Sequence, residues 1–378
     1  MKGSIRRRSR GSWELTVDMG RDSSGKRLRK FLSVKGTKAE AERRLRELLS
    51  SLDKGIPVDT GKITVGALLE RWIRDYVLPN TRPRTAERYE SDMRLHIVPS
   101  IGHIPLSKLS PNDVQAMESH LLAAGLSGRS VRHVHAVLRE AVKHAMRWGL
   151  VHRNVVATID PPKTRRPELV PPDADEVLQL LELAKRTNYH PVFQFMAYTG
   201  CRRGEALGLT WKNVDFTNAM ASIVQSLQRL KGHGLVLQPP KSAKSRRSIA
   251  LDPETVSTLR ELRGVQLLQE MEFAEAYKPR GLVFPGPLGG LLDPSVLTRT
   301  FKQLCKRIGR PHIRLHDLRH FHATMMLQAG TNPKVVQERL GHSSFAITMD
   351  TYSHVVPGLQ EQAVKDFASA MTRVQRSI

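Results

Sequence analysis

The chain has 378 residues, 40% hydrophobic and 25% charged, which is enough for two compact domains and a smaller module. Lys and Arg number 60 against 36 Asp and Glu, so the formal net charge is +24 and the pI is near 10.5. This surplus predicts a polyanionic partner, and nucleic acid is the first candidate because bound cationic side chains release counterions from phosphates.

A membrane surface is the alternative partner, and the sequence argues against it. No apolar run reaches the roughly 18 residues of a membrane helix, and Met1–Arg8 lacks the apolar core of a signal peptide. Cys201 and Cys305 are too few for a disulfide framework or a thiolate metal site. We therefore expect a soluble intracellular protein with reduced cysteines.

The N-terminal segment has the pattern of a small β-hairpin sheet. Alternating runs at Trp13–Val17 and Leu28–Val34 flank the turn-forming cluster Asp22–Gly25. The alternative is a solvated basic tail, because positions 1–38 carry twelve Lys or Arg and three acids. A folded sheet, with Trp13 and Phe31 as its apolar residues, could enter a DNA groove.

A helix and a linker follow this segment. Thr37 is predicted to cap an amphipathic helix that runs towards Leu52. Asp53–Gly61 combines turn formers with polar residues and has no apolar period, which predicts a linker to the next unit.

The second unit, from about Thr64 to Ile159, has a helical pattern. One predicted helix face is apolar and consists of Val131, Val134, Leu138, Val142 and Ala145. The opposite face is basic and carries Arg132, Arg139, Lys143 and Arg147. Such a face is either simply solvated or in contact with DNA.

A proline-rich tether and a mostly helical domain complete the chain. Five prolines lie between Asp160 and Asp173, where they favour an extended segment. Beyond it, strand-like runs at 220–224, 235–237 and 247–251 interrupt the helical pattern and predict one small three-stranded sheet. The fold class is therefore mostly α with small β-sheets (α+β).

Four short segments of the last domain carry its most suggestive polar residues. They are Thr199–Trp211, Pro240–Ile249, His316–His320 and Leu340–Ser344, and Tyr352 follows ten residues after His342. Each has an ordinary explanation as well, since Arg202 could pair with Glu205, His342 could end a helix and Tyr352 could be a core residue. Their combination and order are harder to explain in this way.

Together these segments resemble the tyrosine recombinase family. The resemblance rests on Thr-Gly-x-Arg-x-x-Glu at 199–205, a lysine-bearing strand turn, His-x-x-Arg-His at 316–320, Leu-Gly-His at 340–342 and the downstream Tyr352. It covers roughly 170–375. By order and shape, the helical unit is similar to the family's core-binding domain, and the basic sheet to an arm-binding module.

The resemblance implies a three-domain architecture and a phosphotyrosine mechanism. The domains are an arm-binding module at 1–55, a core-binding helical domain at 62–160 and a catalytic domain at 170–378. Tyr352 would attack the phosphorus and leave a 3′-phosphotyrosyl bond, so that neither a nucleotide cofactor nor a metal is implied.

Each remaining motif residue takes a role in this mechanism. Arg202 and Arg319 would stabilise the phosphate oxygens. His316 would accept or orient the tyrosine proton, and His342 would donate to the phosphate. Lys241, with Lys244 as the alternative, would protonate the leaving 5′ oxygen. Glu205 would orient an arginine, and His320 would be a packing or supporting residue.

The resemblance also implies partners and a location. Double-stranded attachment-site DNA would be bound by dimers that assemble into tetramers, with an excisionase and a DNA-bending protein as further partners, in the bacterial cytoplasm at the nucleoid. The apolar residues between Pro357 and Val374 would pack on a neighbouring protomer or on their own domain. The residues predicted to contact DNA are Arg6, Arg7, Arg8, Arg29, Arg132 and Lys143.

Three alternatives stay open at this point. A zinc site could use His316, His320 and His322, although the glutamate of a His-Glu-x-x-His motif is missing. A type IB topoisomerase would use similar catalytic residues, but it needs no second DNA site. A non-catalytic DNA-binding regulator of the same fold would gain nothing from Tyr352.

Overall fold

A computed structural model describes residues 3–21, 27–53, 63–164, 170–240, 246–342, 344–352, 364–365, 367–369 and 371–372. The chain divides into two compact units, Met1–Arg166 and Pro167–Ile378. The division lies inside the predicted proline-rich tether. The finer partition into three domains stays a prediction.

The N-terminal part of unit 1 is an antiparallel sheet covered by a helix. Strands β1 (Gly3–Ser9), β2 (Ser12–Arg21) and β3 (Arg27–Lys35) lie in that order, and helix α1 (Lys38–Asp53) packs against β1 and β2. Thr37 caps α1, as predicted, through reciprocal hydrogen bonds with Glu40. Residues 3–21 and 27–53 therefore form a folded sheet with a helix rather than a solvated tail, and the predicted turn Asp22–Gly25 lies outside the described residues.

The small core of this sheet differs from the prediction. It consists of Leu15, Val17, Ala41 and Leu45, with Trp13 partly buried at its edge. Phe31, predicted as one of the apolar residues of the folded sheet, is 60% exposed and does not belong to this core. Phe31 pairs with Thr16, whose neighbours Leu15 and Val17 point to the opposite face, because side chains alternate along a strand.

The rest of unit 1 is helical, as predicted. Its helices are α2 (Val65–Trp72), α3 (Leu78–Asn80), α4 (Pro83–Asp92), α5 (Val98–Ile101), α6 (Pro111–Ala123) and α7 (Gly128–Arg147). A π-helical turn joins α2 to α3 and another joins α4 to α5, and each comes just before a proline, Pro79 or Pro99. The wider turn accommodates a residue that cannot donate an intrahelical hydrogen bond.

Helix α7 supplies the centre of this core, which confirms the predicted apolar face. The side chains of that face, Val131, Val134, Leu138, Val142 and Ala145, are all at most 1% exposed. Replacing Leu138 with alanine is expected to lower the free energy of unfolding by about 2–5 kcal/mol, because it leaves a cavity. Leu122→Ala on α6, at a 41% exposed position, is the matched control and should change stability by less than about 0.5 kcal/mol in urea unfolding.

Unit 2 is a helical assembly with two small sheets. Its helices are α8 (Ala174–Ala184), α9 (His190–Thr199), α10 (Arg203–Leu207), α11 (Pro253–Phe273), α12 (Pro294–Arg307), α13 (Asp317–Gln328), α14 (Pro333–Leu340) and α15 (Phe345–Tyr352). Its strands are β4 (Val214–Asp215), β5 (Met220–Ile223), β6 (Ser226–Leu230), β7 (Gly234–Gln238) and β8 (Arg247–Ala250).

The strand pairing in unit 2 corrects the prediction of a single three-stranded sheet. Strands β4, β5 and β8 form one sheet, whereas β7 pairs with β6 in a separate hairpin. The sequence 226–230 was not recognised as a strand. The half-buried Gln228 and the exposed Arg229 between the buried Leu227 and Leu230 give an irregular alternation.

Two glycines end helices at the centre of unit 2. Gly200 closes α9 and Gly341 closes α14, both in the left-handed conformation with φ of 66° and 67°. A Cβ on Gly200 would lie 2.6 Å from the Leu340 side chain, and a Cβ on Gly341 would lie 2.9 Å from the Arg247 guanidinium. These close approaches let the two helix ends and their neighbours converge.

Candidate active site

The polar residues of unit 2 converge where α9 and α14 end and where α10 and α13 begin. Arg202 is the N-cap of α10. Arg319 lies in the first turn of α13, whose N-cap is His316. His342 follows the last residue of α14 by two positions. Hydrogen bonds from both arginines to carbonyls of the 340–341 segment show that these chain segments meet.

Arg202 is held by a buried carboxylate and remains accessible. Its Nη1 donates to Glu205 Oε1 at 2.7 Å, and its backbone N–H donates to Glu205 Oε2 at 3.1 Å. The side chain of Arg202 is 41% exposed, whereas that of Glu205 is 7% exposed. A guanidinium oriented in this way can still donate to an incoming anion.

Glu205 is charged because two arginines surround it. Burial alone would raise its pKa, but hydrogen bonds and charges from Arg247 and Arg202 outweigh burial and lower the pKa to about 2. The interpretation of Glu205 as a residue that orients an arginine fits this geometry.

Arg319 is almost fully buried. It is 2% exposed and donates from Nη1 to the Gly200 carbonyl and from Nη2 to the Leu340 carbonyl, each at 2.8 Å. Both carbonyls belong to helix C-terminal ends, where no backbone N–H is available as a partner. Arg319 therefore joins α9, α13 and α14 around the site.

The histidines of the site are neutral at pH 7. Desolvation, the neighbouring His320 ring and the charges of Arg319 and Arg202 lower the pKa of His316 to about 4. Burial and the charges of Arg319 and Arg202 lower the pKa of His342 to about 3. The His316 ring is thus uncharged at working pH and can accept a proton.

Local contacts orient the rings of His316 and His342. The His316 and His320 rings pack edge to face with centroids 5.0 Å apart. His342 Nδ1 lies 2.8 Å from the Thr348 hydroxyl of α15, and its backbone N–H donates to the Gln337 carbonyl. His342 is therefore tied both to α14 and to the helix that ends with Tyr352.

Two predicted catalytic groups fall partly or wholly outside the described residues. The backbone of Tyr352 forms the last residue of α15, and its side chain lies outside the described part. Lys241 and Lys244 both lie outside it, in the segment between β7 and β8. Their assignment stays a prediction, as does the packing of the segment 357–374.

The residues predicted to contact DNA lie in unit 1 and are exposed. They are Arg6, Arg7 and Arg8 on β1, Arg29 on β3, and Arg132 and Lys143 on α7. Arg8 lies 4.0 Å from Glu14, and Lys143 lies 3.2 Å from Glu140. Exposed pairs of this kind are weak and leave the side chains available to a polyanion.

Two further residues of the site, Arg247 and Arg339, were not singled out from the sequence. Arg247 on β8 donates to Glu205 and to the Arg339 carbonyl, and Arg339 donates to His322 Nε2 at 2.9 Å. Period-two alternation with the buried Ile249 could have placed Arg247 on the inner face of its strand. Nothing in the sequence pattern pairs Arg339 with His322.

A metal centre has no support in this geometry. His322, one of the three histidines of the zinc alternative, accepts a hydrogen bond from Arg339. In the described part of the chain, no three His, Cys, Asp or Glu side chains are grouped so that they could hold a metal ion. Cys201 and Cys305 are buried and form no disulfide bond, and burial raises the pKa of the Cys305 thiol to about 12.

Comparison with known families decides how this arrangement is classified. Residues 173–357 match the model of the phage integrase family, and residues 64–122 match that of the phage integrase N-terminal SAM-like domain. The chain belongs to the phage integrase family of tyrosine recombinases. Both matches fall on units that the sequence had already associated with this family.

Individual phage integrase relatives span nearly the whole chain. A tyrosine recombinase XerC-like protein of Caldanaerobacter subterraneus subsp. tengcongensis is 28% identical over 93% of this chain and 95% of its own length. The Tn1549 transposon integrase in complex with transposon right end DNA has a TM-score of 0.66 at 21% identity, covering 83% of this chain and 99% of that one.

A more distant phage integrase structure has the same fold. A lambda integrase tetramer bound to a Holliday junction matches with a TM-score of 0.58 at 17% identity over 90% of this chain and 95% of that one. Within the described ranges, no helix of this integrase is both long enough and apolar enough to span a bilayer.

The buried His322 of this integrase predicts a pH-dependent stability. Burial and the charge of Arg339 lower its pKa to about 3, so between pH 6.5 and 3 the unfolded chain binds more protons. The contribution of His322 to stability should therefore be complete above about pH 6.5 and fall as the pH drops, by about 2 kcal/mol at pH 5. Urea unfolding at pH 7 and 5 measures this, and His322→Gln should show a smaller difference. An equal difference in both proteins would exclude His322 as the source.

Proposed function

We propose that the protein is a site-specific DNA recombinase that cleaves and rejoins strands through a 3′-phosphotyrosyl intermediate to integrate or excise a mobile element. One observation carries the proposal. Two guanidiniums, Arg202 and Arg319, share the end of α14 with His342, which is tied to the short helix that ends at Tyr352. This set matches the needs of phosphoryl transfer to a tyrosine.

The described geometry supports a division of labour among these groups. Arg202 and Arg319 stay protonated and offset the charge that develops on the non-bridging oxygens. The uncharged His316 accepts or orients the Tyr352 proton. When the Nδ1 atom of His342 accepts a hydrogen bond from Thr348, the ring proton lies on Nε2. This N–H donates a hydrogen bond to the phosphate. Lys241, or Lys244, protonates the 5′ oxygen that leaves.

The proposed partner is double-stranded attachment-site DNA. Two of its structural relatives are integrases bound to DNA, one in complex with a transposon end and one as a tetramer on a Holliday junction. The net charge of +24 suits such a partner. Assembly of this chain into dimers and tetramers on DNA belongs to the same proposal.

The remaining parts of the proposal concern the arrangement of the chain in the cell. The module at 1–55 binds arm sites through Arg6, Arg7, Arg8 and Arg29, and the domain at 62–160 binds core sites through Arg132 and Lys143. The domain at 170–378 performs the chemistry. An excisionase and a DNA-bending protein set direction, and the reaction takes place in the bacterial cytoplasm at the nucleoid.

A trapping experiment tests the chemistry directly. The protein is incubated in EDTA with nicked duplexes that carry candidate attachment sites, so that the short cleaved fragment diffuses away and religation stops. We expect a covalent protein–DNA band in denaturing gels, and peptide mass spectrometry should place the nucleotide on Tyr352. Salt-sensitive binding without any adduct would favour a regulator, and relaxation of plasmids without sequence requirement would favour a topoisomerase.

A further inference from the structure

Three consecutive carbonyls at the end of α14 each accept a hydrogen bond from a different arginine. Arg247 Nε donates to the Arg339 carbonyl at 2.6 Å, Arg319 Nη2 donates to the Leu340 carbonyl at 2.8 Å, and Arg202 Nη2 reaches the Gly341 carbonyl at 3.4 Å. The C-terminal end of a helix carries partial negative charge, so it attracts cations. The end of α14 is therefore a common anchor for three guanidiniums.

Arg247 is shielded from solvent, unlike Arg202, and it bridges α14 to Glu205, unlike Arg319. Its side chain is 6% exposed, and besides the α14 carbonyl it donates from Nη2 to Glu205 Oε2 at 2.7 Å. The other oxygen of the same carboxylate holds Arg202. One planar guanidinium thus connects the end of α14 to the carboxylate that orients Arg202.

We propose that Arg247 is a positioning residue of the recombinase: through Glu205 and the α14 carbonyl it sets Arg202 and Arg319 at the spacing that the scissile phosphate requires. This inference rests on the proposed function. Arg247 acts through its neighbours, because hydrogen bonds hold its guanidinium on Glu205 and on the Arg339 carbonyl, with Cys201 Sγ a further 4.0 Å contact.

A two-pronged donor is needed for this role. The fork of a guanidinium can serve the carboxylate and the carbonyl at once with fixed geometry, whereas a lysine ammonium is a point charge on a flexible stem. Arg247→Lys therefore keeps the charge next to Glu205 but loses the fixed bridge. We expect Arg202 and Arg319 in this variant to be displaced from the positions at which they donate hydrogen bonds to the phosphate oxygens.

The test compares two nicked duplexes under single-turnover conditions at saturating enzyme. One has an ordinary scissile phosphodiester. The other has a methylphosphonate there, in which a methyl group replaces one non-bridging oxygen and removes the negative charge. Arg247→Lys should cleave the phosphodiester about 100-fold more slowly than wild type, the cost of one misplaced transition-state donor. On the methylphosphonate, the deficit should shrink to about 10-fold or less, because the charge to be stabilised is absent.

Two further variants make the result decisive. Arg246→Ala removes the exposed neighbouring arginine and should match wild type on both substrates. Glu205→Gln weakens the same bridge with a smaller change and should show the same substrate-dependent deficit if Arg247→Lys fails to fold in thermal melting. Equal losses on both substrates in the folded variants, or no loss on either, would overturn the inference alone. Absence of any wild-type adduct would instead overturn the proposed function and this inference with it.

Discussion

Tyr352→Phe is expected to abolish the covalent protein–DNA complex, with a loss of about 10⁴-fold or more in the cleavage rate. The substitution removes only the hydroxyl that would attack the phosphorus, and a reaction without its nucleophile keeps little of its rate. The residue ends α15 one helical turn after Thr348, whose hydroxyl contacts His342. Trapping on nicked duplexes in denaturing gels measures the effect.

A matched control separates this effect from a change in the fold. Tyr198→Phe removes another hydroxyl of unit 2, one that donates to Glu254 at 3.4 Å, and it should keep full trapping activity. Tyr352→Phe should bind attachment-site DNA with the wild-type salt dependence, because the phosphate contacts are unaltered. An adduct that persists in Tyr352→Phe would refute the assignment of the nucleophile.

Arg319→Ala is expected to lose both activity and stability. Loss of one charge-stabilising donor costs about 10²–10³-fold in rate, and the removal of hydrogen bonds from a charged group leaves the Gly200 and Leu340 carbonyls unsatisfied in the interior. The free energy of unfolding should fall by about 3 kcal/mol, to be measured in urea next to the trapping assay.

Arg202→Ala provides the comparison that makes this prediction specific. Its side chain is 41% exposed, and Glu205 keeps Arg247 as a partner when Arg202 is removed. Cleavage should fall by a similar factor, whereas the free energy of unfolding should change by about 1 kcal/mol or less. Similar stability losses in both variants would contradict the view that Arg319 contributes more than Arg202 to holding the helix ends together.

The sequence predicted the helical framework well, because periodicity is a local signal, whereas the assignment of the reacting groups stays a prediction. The apolar face of α7 around Leu138 and the start of α13 after His316 were both placed correctly. Phe31 was misplaced because an apolar residue on a two-layer sheet edge can face solvent. The separate β6–β7 hairpin was missed because pairing partners are set by tertiary contacts.

The residues that position the reacting groups could not be predicted from the sequence, because their contacts are also tertiary. Arg247 and Arg339 act through backbone carbonyls, and a carbonyl carries no residue type that a pattern could reveal. The pKa values of His316 and His342 depend on burial and on Arg202 and Arg319, which are distant in sequence. The sequence motifs therefore indicate the type of reaction, and only the structure shows the burial and the charges that shift the pKa values of the site.

The anchor at the end of α14 also has a consequence for the order of folding. Its hydrogen bonds join residues far apart in sequence, with separations of 139 between Arg202 and Gly341 and 92 between Arg247 and Arg339. Contacts of such long range close large loops and form late. During synthesis, a ribosome-bound chain can complete this constellation only after Gly341 has emerged. Nascent or truncated chains should therefore bind DNA through unit 1 without being able to cut it.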